Sequence, residues 1–96
     1  MSNEEIRREA VRCTGRVQGV GFRYRASHAA GAAGVTGWVR NNSDGSVSME
    51  LQGTEAQIDR VLETVGRGFY VLVEHTERQR IPLREHEYGF AELDDE

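Results

Sequence analysis

Between residues 10 and 34 the spacing of apolar side chains changes from every second residue to every third or fourth, and glycines stand at the change. That switch constrains the chain more than any other feature. Val11, Cys13, Gly15 and Val17 share one face while Arg12, Thr14 and Arg16 take the other, the alternation of a strand with one buried side. After Gly15, Gly19 and Gly21, the residues Phe22, Ala26, Ala29, Ala30 and Ala33 fall on one helical face, and Gly34 supplies the stop. A second strand over 35–41 precedes the turn residues Asn42-Ser43-Asp44-Gly45. Val47, Met49 and Leu51 then alternate with Ser48, Glu50 and Gln52, which completes a hairpin. Thr54 to Gln57 fits a capping box, and Ile58, Val61, Leu62 and Val65 give the stripe of an amphipathic helix that ends at Gly66. Residues 69–80 read as a fourth strand, and Tyr88, Phe90 and Leu93 suggest a short fifth.

The order strand, helix, strand, strand, helix, strand implies an α+β fold of the ferredoxin-like split β-α-β kind, βαββαβ plus a short fifth strand. Two helices are expected on one face of an antiparallel sheet. In that layout the first and second strands run the same way with the third between them, so residues 15–23 and Asn41 are expected at one sheet edge. The length suits a single domain over 1–96, with 1–8 and 94–96 expected to fray.

Charge is unevenly distributed. The net charge is −4, yet residues 10–43 contain Arg12, Arg16, Arg23, Arg25 and Arg40 with no acid, whereas 13 acids stand against five arginines over 44–96. An anion is drawn to the first half, while the total argues against nucleic acid as a partner. All 12 basic residues are arginine, so a phosphate loop that depends on lysine is excluded. Cys13 is the only cysteine, which rules out an intrachain disulfide and fits a reducing compartment. No apolar run approaches a membrane span and the first residues lack a secretory layout, so a cytoplasmic protein without membrane partners is expected.

Gly15-Arg16-Val17-Gln18-Gly19-Val20-Gly21-Phe22-Arg23 joins a strand to a helix. Glycines there let backbone N–H groups turn toward an anion, and the helix N-terminus adds unpaired donors and partial positive charge. The Arg23 fork suits two phosphoryl oxygens at once. An ordinary tight turn with a solvated Arg23 fits the spacing equally well. Asn41 closes the second strand, where its carboxamide can accept a hydrogen bond from an attacking water and donate another to a phosphoryl group. Taken alone, Asn-Asn-Ser-Asp-Gly reads more readily as a turn.

With both segments considered, the chain resembles the acylphosphatase family. Gly15 to Arg23 matches its motif Gly-Arg-Val-Gln-Gly-Val-x-Phe-Arg, and Gly34, Gly37, Trp38, Val39 and Asn41 match Gly-x-x-Gly-Trp-Val-x-Asn. The resemblance implies the same fold and the hydrolysis of a carboxylic-phosphoric mixed anhydride to carboxylate and inorganic phosphate. It implies that Arg16, Val17, Gln18, Gly19, Val20, Gly21, Phe22 and Arg23 bind phosphate, that Arg23 and Asn41 are catalytic, and that Asn41 orients water. No metal or other cofactor is expected, and the expected species is a monomer. The rival readings are an RNA-binding ferredoxin-like module and a noncatalytic or carbamoyl-phosphate-directed acylphosphatase-like domain. Residues 66–86 match no motif of the family.

Other reactive side chains read as structural. Cys13 lies on the apolar strand face, as a small buried hydrophobe does. His28, His75 and His86 show no metal spacing. Trp38 and Tyr24 are candidates to line the site or to pack in the core or at its rim, and the tail Asp94-Asp95-Glu96 is expected to be solvated.

Overall fold

The computed structural model describes residues 5–96; residues 1–4, half of the N-terminal segment expected to fray, lie outside the described residues. The elements are β1 (Ile6–Arg16), α1 (Phe22–Ala33), β2 (Thr36–Asn41), β3 (Val47–Thr54), α2 (Glu55–Gly66), β4 (Leu72–Ile81) and β5 (Phe90–Glu92). The sheet order is β4-β1-β3-β2-β5. Both helices pack on one face, where Phe22, Ala26 and Ala30 of α1 and Ile58, Val61 and Val65 of α2 meet Val11, Cys13, Val39, Met49 and Leu51 of the strands. The α2 N-terminus carries the expected capping box, with the Thr54 hydroxyl accepting from the Gln57 amide and the Gln57 side chain accepting from the Thr54 amide.

The sheet is mixed, not wholly antiparallel as the element order suggested: β2 runs antiparallel to β3 but parallel to β5. The cause is the route after β4. β4 and β5 occupy opposite edges, so the chain that leaves β4 must cross the end of the sheet before it turns back along β2. Gln52 clips this crossing, accepting from the Arg84 amide at 2.9 Å and donating to the Arg84 carbonyl at 3.0 Å.

β1 begins at Ile6, well before the alternation over 10–17, and Arg7 and Arg8 pair with Gly53 and Gln52 of β3 in place of fraying. Sequence periodicity hides this part of the strand because its most buried side chain is charged. Arg8 is 1% exposed. Its Nε donates to Glu50 at 2.8 Å, and its two terminal nitrogens donate to Glu87 at 2.8 and 3.1 Å. Burial pushes the Glu87 carboxyl up, but hydrogen bonds from Arg8 and Thr36 and the charges of Arg8 and Arg84 outweigh it and hold the carboxyl below its usual range. Because the folded value is depressed, the stabilisation is full above the unfolded value of about 4.3 and is lost as pH falls through the lower folded value. Urea midpoints measured from pH 6 to pH 3 are therefore expected to fall less steeply for Glu87→Gln than for the unchanged chain.

Gly37 is fixed by sterics. Its φ is +143°, and a Cβ there would lie 1.8 Å from the Glu50 carbonyl oxygen, so any side chain forces β2 off β3. Gly37→Ala is expected to cost about 3 kcal/mol, the upper end of ordinary single-residue losses, read as the urea midpoint at unchanged slope.

The C-terminal residues are also held. The Leu93 amide donates to the Val39 carbonyl at 2.8 Å and the Glu96 amide to the Asn41 carbonyl at 2.9 Å, so residues expected to fray continue along β2. The side of β2 away from β3 offers these carbonyls, so β5 and the short polar tail after it find partners there.

Candidate active site

β1 and β2 flank β3 and run the same way, so the loop after β1 and the end of β2 lie at one edge. The Gln18 side chain ties the two, its Nε2 donating to the carbonyls of Asn42 at 2.7 Å and Ser46 at 2.8 Å. The turn it grips is itself rigid. Asp44 accepts from the amide and hydroxyl of Ser46 and pairs with Arg12 at 2.6 Å. The Ser46 hydroxyl, its amide and the Arg12 guanidinium hold the Asp44 carboxyl well below the usual range.

Gly21 caps α1 in the left-handed region, at φ 81°, and no side chain caps that end or places an acid in its first turn. The first helical bond runs from the Arg25 amide to the Gly21 carbonyl at 3.0 Å. Among the described residues, the amides of 18–24 therefore have no protein acceptor, which leaves a row of donors at the positive end of a helix. Part of the reason is local: a side-chain oxygen at the cap would satisfy one of these groups, and glycine has none.

Five of the residues that carry these donors, Gly19, Gly21, Phe22, Arg23 and Tyr24, border a cleft of about 200 Å³. Val17, Gly19, Gly21, Phe22 and Arg23 line it from the loop side, and Tyr24, Asn41 and Glu92 complete it. Arg16, Gln18 and Val20, expected among the phosphate-binding residues, do not line the cleft; the Gln18 side chain is the brace described above. Asn41 is 9% exposed. Its main-chain carbonyl is taken by Glu96, whereas no other described residue hydrogen-bonds its carboxamide. Arg23, in the first turn of α1, donates from one terminal nitrogen to the Leu93 carbonyl at 3.0 Å and lies 3.1 Å from the Asp95 carboxylate.

Two features of this cleft were not legible in the chain. The first half has no acid near the loop, yet β5 brings Glu92 into the cleft from about 70 residues away. The tail expected to be solvated is engaged, with Asp95 at Arg23 and the Glu96 carboxylate accepting from the Ser43 amide at 2.8 Å. Nothing local marks either residue, since an acidic terminus usually faces water. Of the two aromatic candidates, Tyr24 lines the cleft, whereas Trp38 lies on the helix-free face with the Arg40 guanidinium 5.3 Å from its ring centroid. Cys13 is buried in the core, which pushes its thiol up against a weaker opposing bond with Thr76.

The family model described as Acylphosphatase matches residues 9–91. The chain belongs to the acylphosphatase family. That match runs through residues 66–86, where the sequence alone offered no motif. The chain is 38% identical to an acylphosphatase of Clostridium acetobutylicum over 86 residues, 88% of this chain and 94% of that one. It is 50% identical to an acylphosphatase of Rhizobium etli over 66 residues, 69% of this chain and 67% of the relative. The crystal structure of acylphosphatase from Bacillus subtilis is similar at a TM-score of 0.83 and 29% identity, covering 93% of this chain and 99% of that one. Structural neighbours within the acylphosphatase family thus agree with the ferredoxin-like βαββαβ layout.

Proposed function

We propose that this member of the acylphosphatase family hydrolyses small acyl phosphates at the cleft between the 15–23 loop and Asn41. One observation carries the reading: a row of unpartnered amides, a guanidinium and an unpaired carboxamide border a single cleft. The phosphoryl group is bound by loop amides and Arg23, in keeping with the anion preference of helix N-termini. Asn41 accepts a hydrogen bond from water and aims it at phosphorus.

The chemistry asks for little more. A new P–O bond forms from water, the P–O bond to the acyl group breaks, and its electron pair leaves on the carboxylate. The conjugate acid of that leaving group has a pKa of about 4, so it departs unprotonated and no general acid is needed. The water's proton passes to a phosphoryl oxygen. Stabilising the equatorial oxygens is the main catalytic task in phosphoryl transfer, and amides with one guanidinium supply it. No step in this scheme calls on a metal or organic cofactor. The buried, unpaired Cys13 and the net charge of −4 support a cytoplasmic protein that acts on a small molecule and not on nucleic acid, and a monomer is the expected species.

The direct test is release of phosphate from benzoyl phosphate in excess chelator. Turnover that persists in chelator is expected; no turnover with or without metal would remove the proposal.

A further inference from the structure

We propose that Glu92 and Asp95 select the acyl half of the substrate by charge, so that neutral or cationic acyl groups are turned over in preference to anionic ones. The inference rests on the acyl phosphate reading above and concerns what lies beyond the phosphoryl group.

Among the residues that line the cleft, Arg23 is the one cation and Glu92 the one anion. Asp95 adds a second carboxylate at the same guanidinium, 3.1 Å away. The main chain on which both stand is held along β2. Glu92 stands opposite Val39 in the β2–β5 pair, and the amides of Leu93 and Glu96 are tied to Val39 and Asn41 on either side of Asp95. Glu96 is a different case: its carboxylate is occupied by Ser43 and lowered further by the charge of Arg40, which stacks on Trp38.

A bound phosphoryl dianion commits the Arg23 charge. The acyl group then meets two carboxylates, and among the described residues that line the cleft there is no second cation. At about 200 Å³ the cleft is smaller than the roughly 300 to 1,000 Å³ of pockets that enclose drug-sized ligands, so the acyl group must extend past these side chains. Its first atoms lie within the screening distance of about 8 Å at physiological salt, and a like charge there is repelled.

The test compares benzoyl phosphate, 4-carboxybenzoyl phosphate and 4-(aminomethyl)benzoyl phosphate, each kcat/KM divided by that compound's uncatalysed rate. The full chain is expected to favour the neutral over the anionic substrate by about tenfold at low salt, with the gap shrinking near 0.5 M salt. The cationic substrate is expected to equal or exceed the neutral one. Glu92→Gln and Asp95→Asn should each raise the anionic-to-neutral ratio by about threefold, and the double variant by about tenfold. Should Asp95 serve only to position Arg23, the variant would slow all three substrates alike and leave the ratio unchanged, which overturns the proposal. Equal turnover of the three by the unchanged chain overturns it too. Failure to hydrolyse any of them would instead remove the catalytic reading beneath it.

Discussion

Replacing Arg23 with alanine is expected to lower kcat/KM for benzoyl phosphate by about 1000-fold, the upper range for loss of one preorganised donor. The magnitude follows from charge and shape together. Among the described residues the guanidinium is the one cation that lines the cleft, and charge-assisted hydrogen bonds are about twice as strong as neutral ones. KM should rise because Arg23 holds the ground-state phosphoryl group, and kcat should fall because its charge-assisted bonds strengthen as charge builds on the equatorial oxygens. Inorganic phosphate should lose affinity in parallel, as a competitive inhibitor of any residual activity. Arg23→Lys restores charge without the fork, so it should recover part of the binding and less of the turnover. The side chain is about one-third exposed, so the fold should survive the change and thermal melting serves as the control. Unchanged kinetics in a folded Arg23→Ala protein would remove Arg23 from the site.

Asn41→Ala is expected to show a different signature. Turnover should fall by about 100-fold while inorganic phosphate still binds, since the amides of 18–24 and Arg23 remain in place. The structure makes this variant a clean probe. The Asn41 main-chain carbonyl, not its side chain, holds the C-terminal segment through Glu96, and no described residue depends on the carboxamide. An aspartate at this position keeps an acceptor but adds a negative charge in the cleft, so Asn41→Asp should bind phosphate less well than Asn41→Ala. If Asn41→Ala loses phosphate affinity as severely as turnover, the carboxamide is a phosphate ligand and the water-aiming role is wrong.

Much of the fold was legible because the hydrophobic period changed at punctuated places. The α2 capping box, the hairpin around Asp44-Gly45 and the glycine run before α1 each have a local cause, and each appears where the residues placed it. Two ends of the chain were misread for the same physical reason. Arg8 looks like a surface residue until Glu50 and Glu87, 42 and 79 positions away, supply its partners. The acidic tail looks solvated until the edge of β2 and Arg23 supply theirs. A charge partnered at long range carries no periodic signal.

The candidate site divides along the same line. The sequence by itself determined the glycine-rich strand-to-helix turn and the helix end without a capping side chain, because backbone sterics and capping act between near neighbours, and the motif resemblance named Arg23 and Asn41 as candidates. Only the tertiary structure decided that the Gln18 side chain braces the loop on the hairpin, that Arg16 and Val20 do not line the cleft, that Glu92 does, and that Asp95 pairs with Arg23. Those outcomes depend on which edge of the sheet the last ten residues follow. Main-chain hydrogen bonding selects that edge, and every residue carries the same main chain.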